Sequence, residues 1–359
     1  MIDPHVHLRD WSQSAKETLA HGLSVAAESG LDAVFDMPNT DPPLTEPDTV
    51  KRRLSEAEAV IEGLETPLYY GVFLGATADE LQLERMVELY HGERLGRNGR
   101  HAGIVGFKMY AGPSTGNLAT RAPEAQRSVY RTLTALGYGG VICVHCEKEA
   151  LFRRRADGSP DWDPERPRSF AATRPPESEL ESVRDQIDAA TDAGFAGTLH
   201  IAHVSVPEVL DLIEEARETV GFHLSCEVTP HHLLLSDDAF DRANGILFKT
   251  NPPLRPEPMR GALYRALTDG RIDFVATDHA PHTLEDKLHR HASGVPGLGA
   301  MHLLRDRLAR EGVDRRLLHR LFHGGAEEVY AVDIPETGRV GRRDALASYD
   351  VLPYALDEI

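Results

Sequence analysis

Apolar residues recur along the chain in eight short runs: Ile2–His7, Asp32–Met37, Leu68–Leu74, Ile104–Tyr110, Val141–Cys146, Thr198–Val204, His223–Val228 and Asp273–Thr277. Runs of this length suit strands buried on both faces. Between most of them lie stretches with helical spacing: Ser14–Ser29, Asp48–Glu62, Ala78–Leu95, Pro123–Leu136, Glu177–Ala193 and Pro207–Thr219. Some of these end at a glycine, such as Gly30 and Gly194, which closes a helix readily in the left-handed conformation. Strand and helix in alternation predict an α/β fold, a parallel (β/α)8 barrel of TIM type. The competing open, doubly wound sheet calls for a glycine-rich phosphate turn after an early strand, and the sequence has none. Two segments, 153–176 and 233–267, read as long loops, and such loops often serve as lids or binding segments. Met301–Tyr330 reads as closing helices, and the tail Ile334–Ile359 as irregular chain that could form short strands.

Composition narrows the function. The 359 residues include 41% hydrophobic ones, enough for a large core, yet no apolar run long enough to span a membrane. Nothing at the N-terminus has the order of a signal peptide, so a cytoplasmic location is expected. With 57 acidic against 39 basic residues the formal charge is −18, which argues against a nucleic-acid partner. Lysine is scarce: Lys16, Lys51, Lys108, Lys148, Lys249 and Lys287 are all there are. An acidic, lysine-poor chain fits a salty cytoplasm, although a GC-rich genome would also favour arginine. Three cysteines, Cys143, Cys146 and Cys226, are too few for a disulfide framework. Cys143 and Cys146 read as small hydrophobes flanking His145.

The chemistry gathers at the ends of the predicted strands, where barrel enzymes keep their active sites. The first ends in Asp3-Pro4-His5-Val6-His7-Leu8-Arg9-Asp10. Strand side chains alternate, so His5 and His7 share a face and can bind one metal ion, and Arg9 shares their parity. Later strand ends carry Asn39, Lys108, His145, His203, Glu227-Val-Thr-Pro-His231-His232 and Thr277-Asp278-His279-Ala280-Pro281-His282. His200 has the opposite parity to His203 and is expected to face the helices. His289, His291, His302, His319 and His323 read as surface or interhelical residues.

Read together, DxHxHLRD, MPNT, GFKMY, VHCE, IAHVS, TPHH, NPPLR, TDHAPHT and PGLGA resemble the dihydroorotases of the amidohydrolase superfamily, motif by motif and in order. The resemblance implies a barrel with two zinc ions: His5, His7 and Asp278 on the first, His145 and His203 on the second, and a carboxylated Lys108 between them. Asp10 or Glu227 are alternatives for the bridging place. It implies carboxylate recognition by Arg9, Asn39 and His282, and ring contacts from Asn251, Pro296 and Gly297. His231 and His232 would support the site by hydrogen bonding. The implied reaction interconverts dihydroorotate and carbamoyl-aspartate in pyrimidine synthesis. A zinc-bridged hydroxide is the implied nucleophile, with Asp278 as base and then acid.

The competitors of the same class are allantoinase and hydantoinase or dihydropyrimidinase. A silent scaffold barrel is disfavoured because every expected ligand is present, and a structural zinc site because those favour cysteine. Relatives place a longer segment before DxHxH, half of a small β-sandwich. The expected organisation here is a barrel over 1–330 and a tail, 331–359, as a remnant of that sandwich. The expected partners are a small-molecule substrate, a second copy of the chain in a homodimer, and aspartate transcarbamoylase.

Overall fold

The computed structural model describes residues 1–96, 100–113, 118–342 and 345–349. Its strands are β1 (Ile2–Val6), β2 (Ala33–Asp36), β3 (Tyr69–Gly75), β4 (Ala102–Ala111), β5 (Val141–Cys146), β6 (Thr198–Ile201), β7 (His223–Val228) and β8 (Phe274–Val275). They form one sheet in chain order, and every neighbouring pair is parallel. The ring closes where His7 N–H donates to His279 O at 2.7 Å and Val6 bridges His279 in parallel. This is the (β/α)8 barrel that the apolar periodicity predicts.

The helices that matter for the site are α1 (Leu19–Glu28), α2 (Pro47–Glu62), α3 (Glu80–Gly92), α4 (Pro123–Ala135), α5 (Arg168–Thr173), α6 (Pro176–Asp192) and α7 (Pro207–Arg217). Proline opens α2, α4, α6 and α7, where its missing N–H costs nothing. The long loop over 153–176 thus contains one short helix, α5. The second, over 233–267, holds most of a further helix, Glu257–Thr268.

Strand side chains divide into two layers. Val34, Val72, Ile142, Val144, Leu199 and Leu224 face the helices. Ile2, Phe35, Phe73, Cys143 and Phe274 fill the barrel interior, where the Tyr330 ring lies 5.1 Å from Phe35 and 5.7 Å from Phe73. All three cysteines are buried and unbridged. Among the described residues, no helix is long and apolar enough to cross a membrane.

Three buried carboxylates hold the C-terminal rim of the barrel in register. Asp36, at the end of β2, accepts from Leu8 N–H at 2.9 Å and pairs with Arg53 Nη2 at 2.7 Å. Asp3 accepts from Thr277 N–H at 2.9 Å and from its hydroxyl at 2.6 Å, fixing the chain just before Asp278. Glu17 lies 2.8 Å from His279 Nε2 and accepts from Tyr349 OH at 2.6 Å. Of the tail, residues 343, 344 and 350–359 lie outside the described residues. Its described part forms no strand; Thr337 N–H donates to Asp32 at 3.0 Å, and Ala345–Ser348 is a short 3-10 helix.

Candidate active site

Several residues of the rim leave ordinary backbone geometry, Asp10 and Trp11 next to Arg9 among them. Arg9, His203 and Asp278 have φ of 47°, 38° and 48°, a left-handed conformation that non-glycine residues seldom adopt. Such strain gathers where side chains must be re-aimed. It turns His203 inward although it lies beyond the end of β6. It also overturns the parity expectation for His200. That ring does not face the helices; it stacks on Phe274 at 4.8 Å inside the barrel and reaches Glu227 at 3.1 Å.

Four imidazoles and one carboxylate meet at the top of the barrel. The His5 ring centroid lies 5.5 Å from that of His7 and 5.4 Å from that of His203, which is 4.9 Å from that of His145. Asp278 Oδ1 lies 3.3 Å from His5 Nε2 and 3.0 Å from His7 Nε2. Ligand atoms of His5, His7 and Asp278 fall within 4.8 Å of one another. His145 Nδ1 lies 3.1 Å from His203 Nε2, and His203 Nδ1 has no partner. Lys108 pairs across the β4–β5 ladder with Cys143 and is almost fully buried. Its Nζ lies 3.7 Å from Cys143 Sγ and close enough to His145 and His203 to lower both imidazole pKa values.

The electrostatics favour cation binding. Burial is the chief cause that keeps His7 neutral, its pKa lowered to about 4, and it also lowers His145 and His203. Burial alone would raise the Asp278 carboxyl, but His5, His7 and His203 outweigh it and hold it well below the usual range. Neutral imidazoles and a carboxylate are the forms that ligate metal. The cavity that they line with Lys108, Tyr110 and Asn251 is small, with a volume of about 30 Å3. The donor set, the unpartnered His203 nitrogen and this volume together fit small divalent ions.

Behind this cluster stands Glu227. Its Oε1 lies 2.5 Å from His5 Nδ1 and accepts from His203 N–H at 3.2 Å, while Oε2 takes His200. Burial opposes its ionisation, but His5 and His200 outweigh that and depress its pKa. The resemblance left Glu227 and Asp10 as alternatives for the bridging place; the contacts of Glu227 to His5, His200 and the His203 backbone are those of an orienting group. Glu227→Leu is expected to cost about 3–5 kcal/mol, the scale for breaking a buried charged network. Urea unfolding would measure it, and a loss well under about 1 kcal/mol would contradict that role.

The remaining predicted residues surround this cluster. Asn39 Oδ1 lies 2.6 Å from His7 Nδ1. Arg9 is buried with Nε and Nη1 unpartnered, and its Nη2 lies 3.4 Å from His282 Nε2. That Nε2 also lies 3.0 Å from Ser293 O. Asn251 lines the cavity with its Oδ1 unpartnered. Gly297 N–H goes to His279 Nδ1 at 3.0 Å, and the residues lining the cavity are Ser293 and Gly294 rather than Pro296 and Gly297. His231 is buried with both ring nitrogens unpartnered; His232 lies 2.8 Å from Thr229 Oγ1 and 3.1 Å from Pro252 O.

Three features escaped sequence reasoning. Glu147 lies 3.0 Å from His145 Nε2, off the axis of a hydrogen bond, and pairs with Arg174. It follows His145 at strand spacing, a signal that could have found it. Tyr110, two residues beyond Lys108, offers an unpartnered hydroxyl to the cavity. Ser293 and Gly294 carry no motif.

No protein-family model matches the chain. It is 36% identical over 303 residues to the dihydroorotase of Halobacterium salinarum, covering 83% of this chain and 63% of that protein. The dihydroorotase of Methanothermobacter thermautotrophicus is 31% identical over 95% of this chain and 75% of its own length. That of Desulfotalea psychrophila is 32% identical over 87% and 68%. The chain spans 63% and 59% of the Halobacterium and Thermococcus kodakarensis dihydroorotases. Among solved structures, the L-hydantoinase (dihydropyrimidinase) of Arthrobacter aurescens superposes with a TM-score of 0.76 at 22% identity, over 95% of this chain and 73% of that one. The D-hydantoinase (dihydropyrimidinase) of a Thermus species gives 0.71 at 22% identity, over 92% and 70%. At that identity the likeness speaks for the barrel alone.

Proposed function

The chain belongs to the dihydroorotase family, and from that premise we propose that it opens and closes the dihydroorotate ring as a metal-dependent cyclic amidohydrolase. The observation that carries this reading is the Arg9 guanidinium, buried near His7 and Asp278 with Nε and Nη1 unpartnered and Nη2 at 3.4 Å from His282 Nε2. A buried guanidinium whose N–H groups lack an anionic partner is costly and is matched by a ligand carboxylate. Dihydroorotate has that carboxylate, whereas dihydrouracil and allantoin do not.

In this proposal His5, His7 and Asp278 would hold one zinc ion and His145 and His203 a second, and a carboxylated Lys108 would complete the ligand set. A free ammonium has no lone pair to offer, so modification is what makes Lys108 a ligand. Bound metals supply Lewis acidity and make water acidic enough to attack near neutral pH. Asp278 rests deprotonated, so a carboxylate oxygen can take the proton of the attacking water and deliver it to the ring nitrogen as the C–N bond breaks. Glu227 and Asn39 hold the His5 and His7 rings by their Nδ1 atoms, which leaves Nε2 toward the cavity. Arg9, with His282 beside it and Asn39 against His7, would orient the substrate carboxylate. Asn251 offers an acceptor to a ring N–H.

The test is a side-by-side assay of zinc-loaded protein on dihydroorotate, allantoin and dihydrouracil. Dihydroorotate is expected to be turned over best; preference for either of the others would end this reading. Arg9→Ala is expected to lower kcat/KM for dihydroorotate by ~10- to 100-fold, the loss of charge-assisted hydrogen bonds. Unchanged dihydroorotate kinetics in that variant would remove the specificity argument.

A further inference from the structure

Next to the catalytic cavity, on the other side of Lys249, lies a second cavity of about 370 Å3, in the size range of small-molecule sites. The chain carries a net −18, yet the walls of this cavity hold five cationic side chains and a single carboxylate, Glu149. Glu149 takes up Arg121 at 3.5 Å and Arg154 at 2.5 Å, and Arg174 is paired with Glu147. Among the described residues, Arg153 and Lys249 are left with no carboxylate partner.

Lys249 is 7% exposed, and its ammonium donates to His291 O at 2.7 Å and Ser293 Oγ at 2.9 Å. An ammonium has three N–H groups, so one remains for a ligand. Burial is the main cause that lowers its pKa to about 7, with Arg174 adding to it, and an anion in the cavity would relieve that cost. The other walls are aromatic. The Lys249 ammonium lies 4.2 Å from the Phe170 ring centroid and 5.1 Å from that of Trp162, and Arg174 lies 4.5 Å over Phe152.

We infer that this cavity is a second ligand site, for a small aromatic anion whose carboxylate or phosphate meets Lys249 and Arg153 while its ring packs among Phe152, Trp162 and Phe170. The site is wired to the catalytic cavity. Ser293 and Gly294, which line that cavity, are held by Lys249: its side chain bonds Ser293 Oγ, and its carbonyl accepts from Gly294 N–H at 2.9 Å. A ligand that draws the ammonium toward itself competes with the Ser293 contact and shifts the wall of the catalytic cavity.

Trp11 and Trp162 are the only tryptophans, so emission reports on the site. Zinc-loaded protein would be titrated at constant ionic strength with phenyl phosphate, benzoate and inorganic phosphate. Saturable quenching by one or both ring-bearing anions is expected, absent in Trp162→Phe, and the stronger of the two identifies the head group. Affinity is expected to fall at least ~10-fold in Lys249→Met and in Arg153→Glu. Arg153 is exposed, so the second variant keeps the test sound if the first folds poorly. Quenching that never saturates, an equal response to inorganic phosphate, or unchanged affinity in both variants would overturn the site. Binding is read without turnover, so it stands or falls apart from the dihydroorotase reading. The wiring does rest on that reading: saturating probe is expected to shift the KM for dihydroorotate in the parent protein and not in Arg153→Glu, and an unshifted KM would refute it.

Discussion

Asp278→Asn is expected to lower turnover of dihydroorotate by ~10²- to 10⁴-fold, the range of a lost general acid–base group, while leaving the fold and most of the bound metal in place. The side chain keeps its size and one ligand oxygen, and the neighbouring His5 and His7 remain. What disappears is the ability to accept a proton, because an amide oxygen is a very weak base. The low pKa of Asp278 ensures that the parent side chain is free to accept at neutral pH, an effect of His5, His7 and His203 prevailing over burial. Steady-state kinetics and metal analysis on the same sample separate the two roles. Near-normal turnover would refute the proton-transfer role, and loss of metal in proportion to activity would reduce Asp278 to a ligand.

Lys108→Met is expected to remove at least one metal ion per chain and to depress turnover by at least ~10²-fold, beyond what loss of an outer partner of a ligand usually costs. Methionine fills a similar volume and is at home in a buried position, so instability is not what the substitution tests. An ordinary buried lysine would be an expense at this place: among the described residues its ammonium meets a thiol at 3.7 Å and the Tyr110 ring at 5.3 Å, with no carboxylate, and it faces imidazoles. Replacing it with an apolar residue would then stabilise the protein and leave metal content unchanged. A carbamate reverses both expectations. Exchange with 13C-labelled bicarbonate is expected to give a carbamate carbon signal that Lys108→Met lacks, and its absence from the parent protein would leave the bridging place without a ligand from Lys108.

The barrel was legible because buried parallel strands repeat one simple pattern, an apolar run that a helix follows. Each of the eight strands coincides with a run read from sequence: six fall inside their runs, trimmed by up to three residues where the chain turns into a loop, while β4 begins at Ala102 and β3 and β4 each run one residue further. The candidate ligands were legible for a different reason: a barrel forces chemistry to its rim, so polar residues ending apolar runs stand out. What parity could not supply was direction past the ends of the strands. Arg9, His203 and Asp278 follow a period of two only until the backbone turns left-handed, and that turn is made by tertiary contacts such as Asp36 on Leu8 and Asp3 on Thr277. His200 shows the cost, since the alternation that misplaced it treats β6 as continuing through His203, whereas the strand ends at Ile201. Ser293 and Gly294 reach the cavity because Lys287 gathers their loop, its ammonium donating to Lys249 O, Ala292 O and Gly294 O. A single lysine in sequence carries no hint of that.

Diffraction from zinc-loaded crystals at the zinc absorption edge tests the central claim most directly. Two anomalous peaks are expected in the cavity, one against His5, His7 and Asp278 and one against His145 and His203, with extra density on Lys108 Nζ between them. Zinc found elsewhere, or no peak among these six residues in active protein, would contradict it.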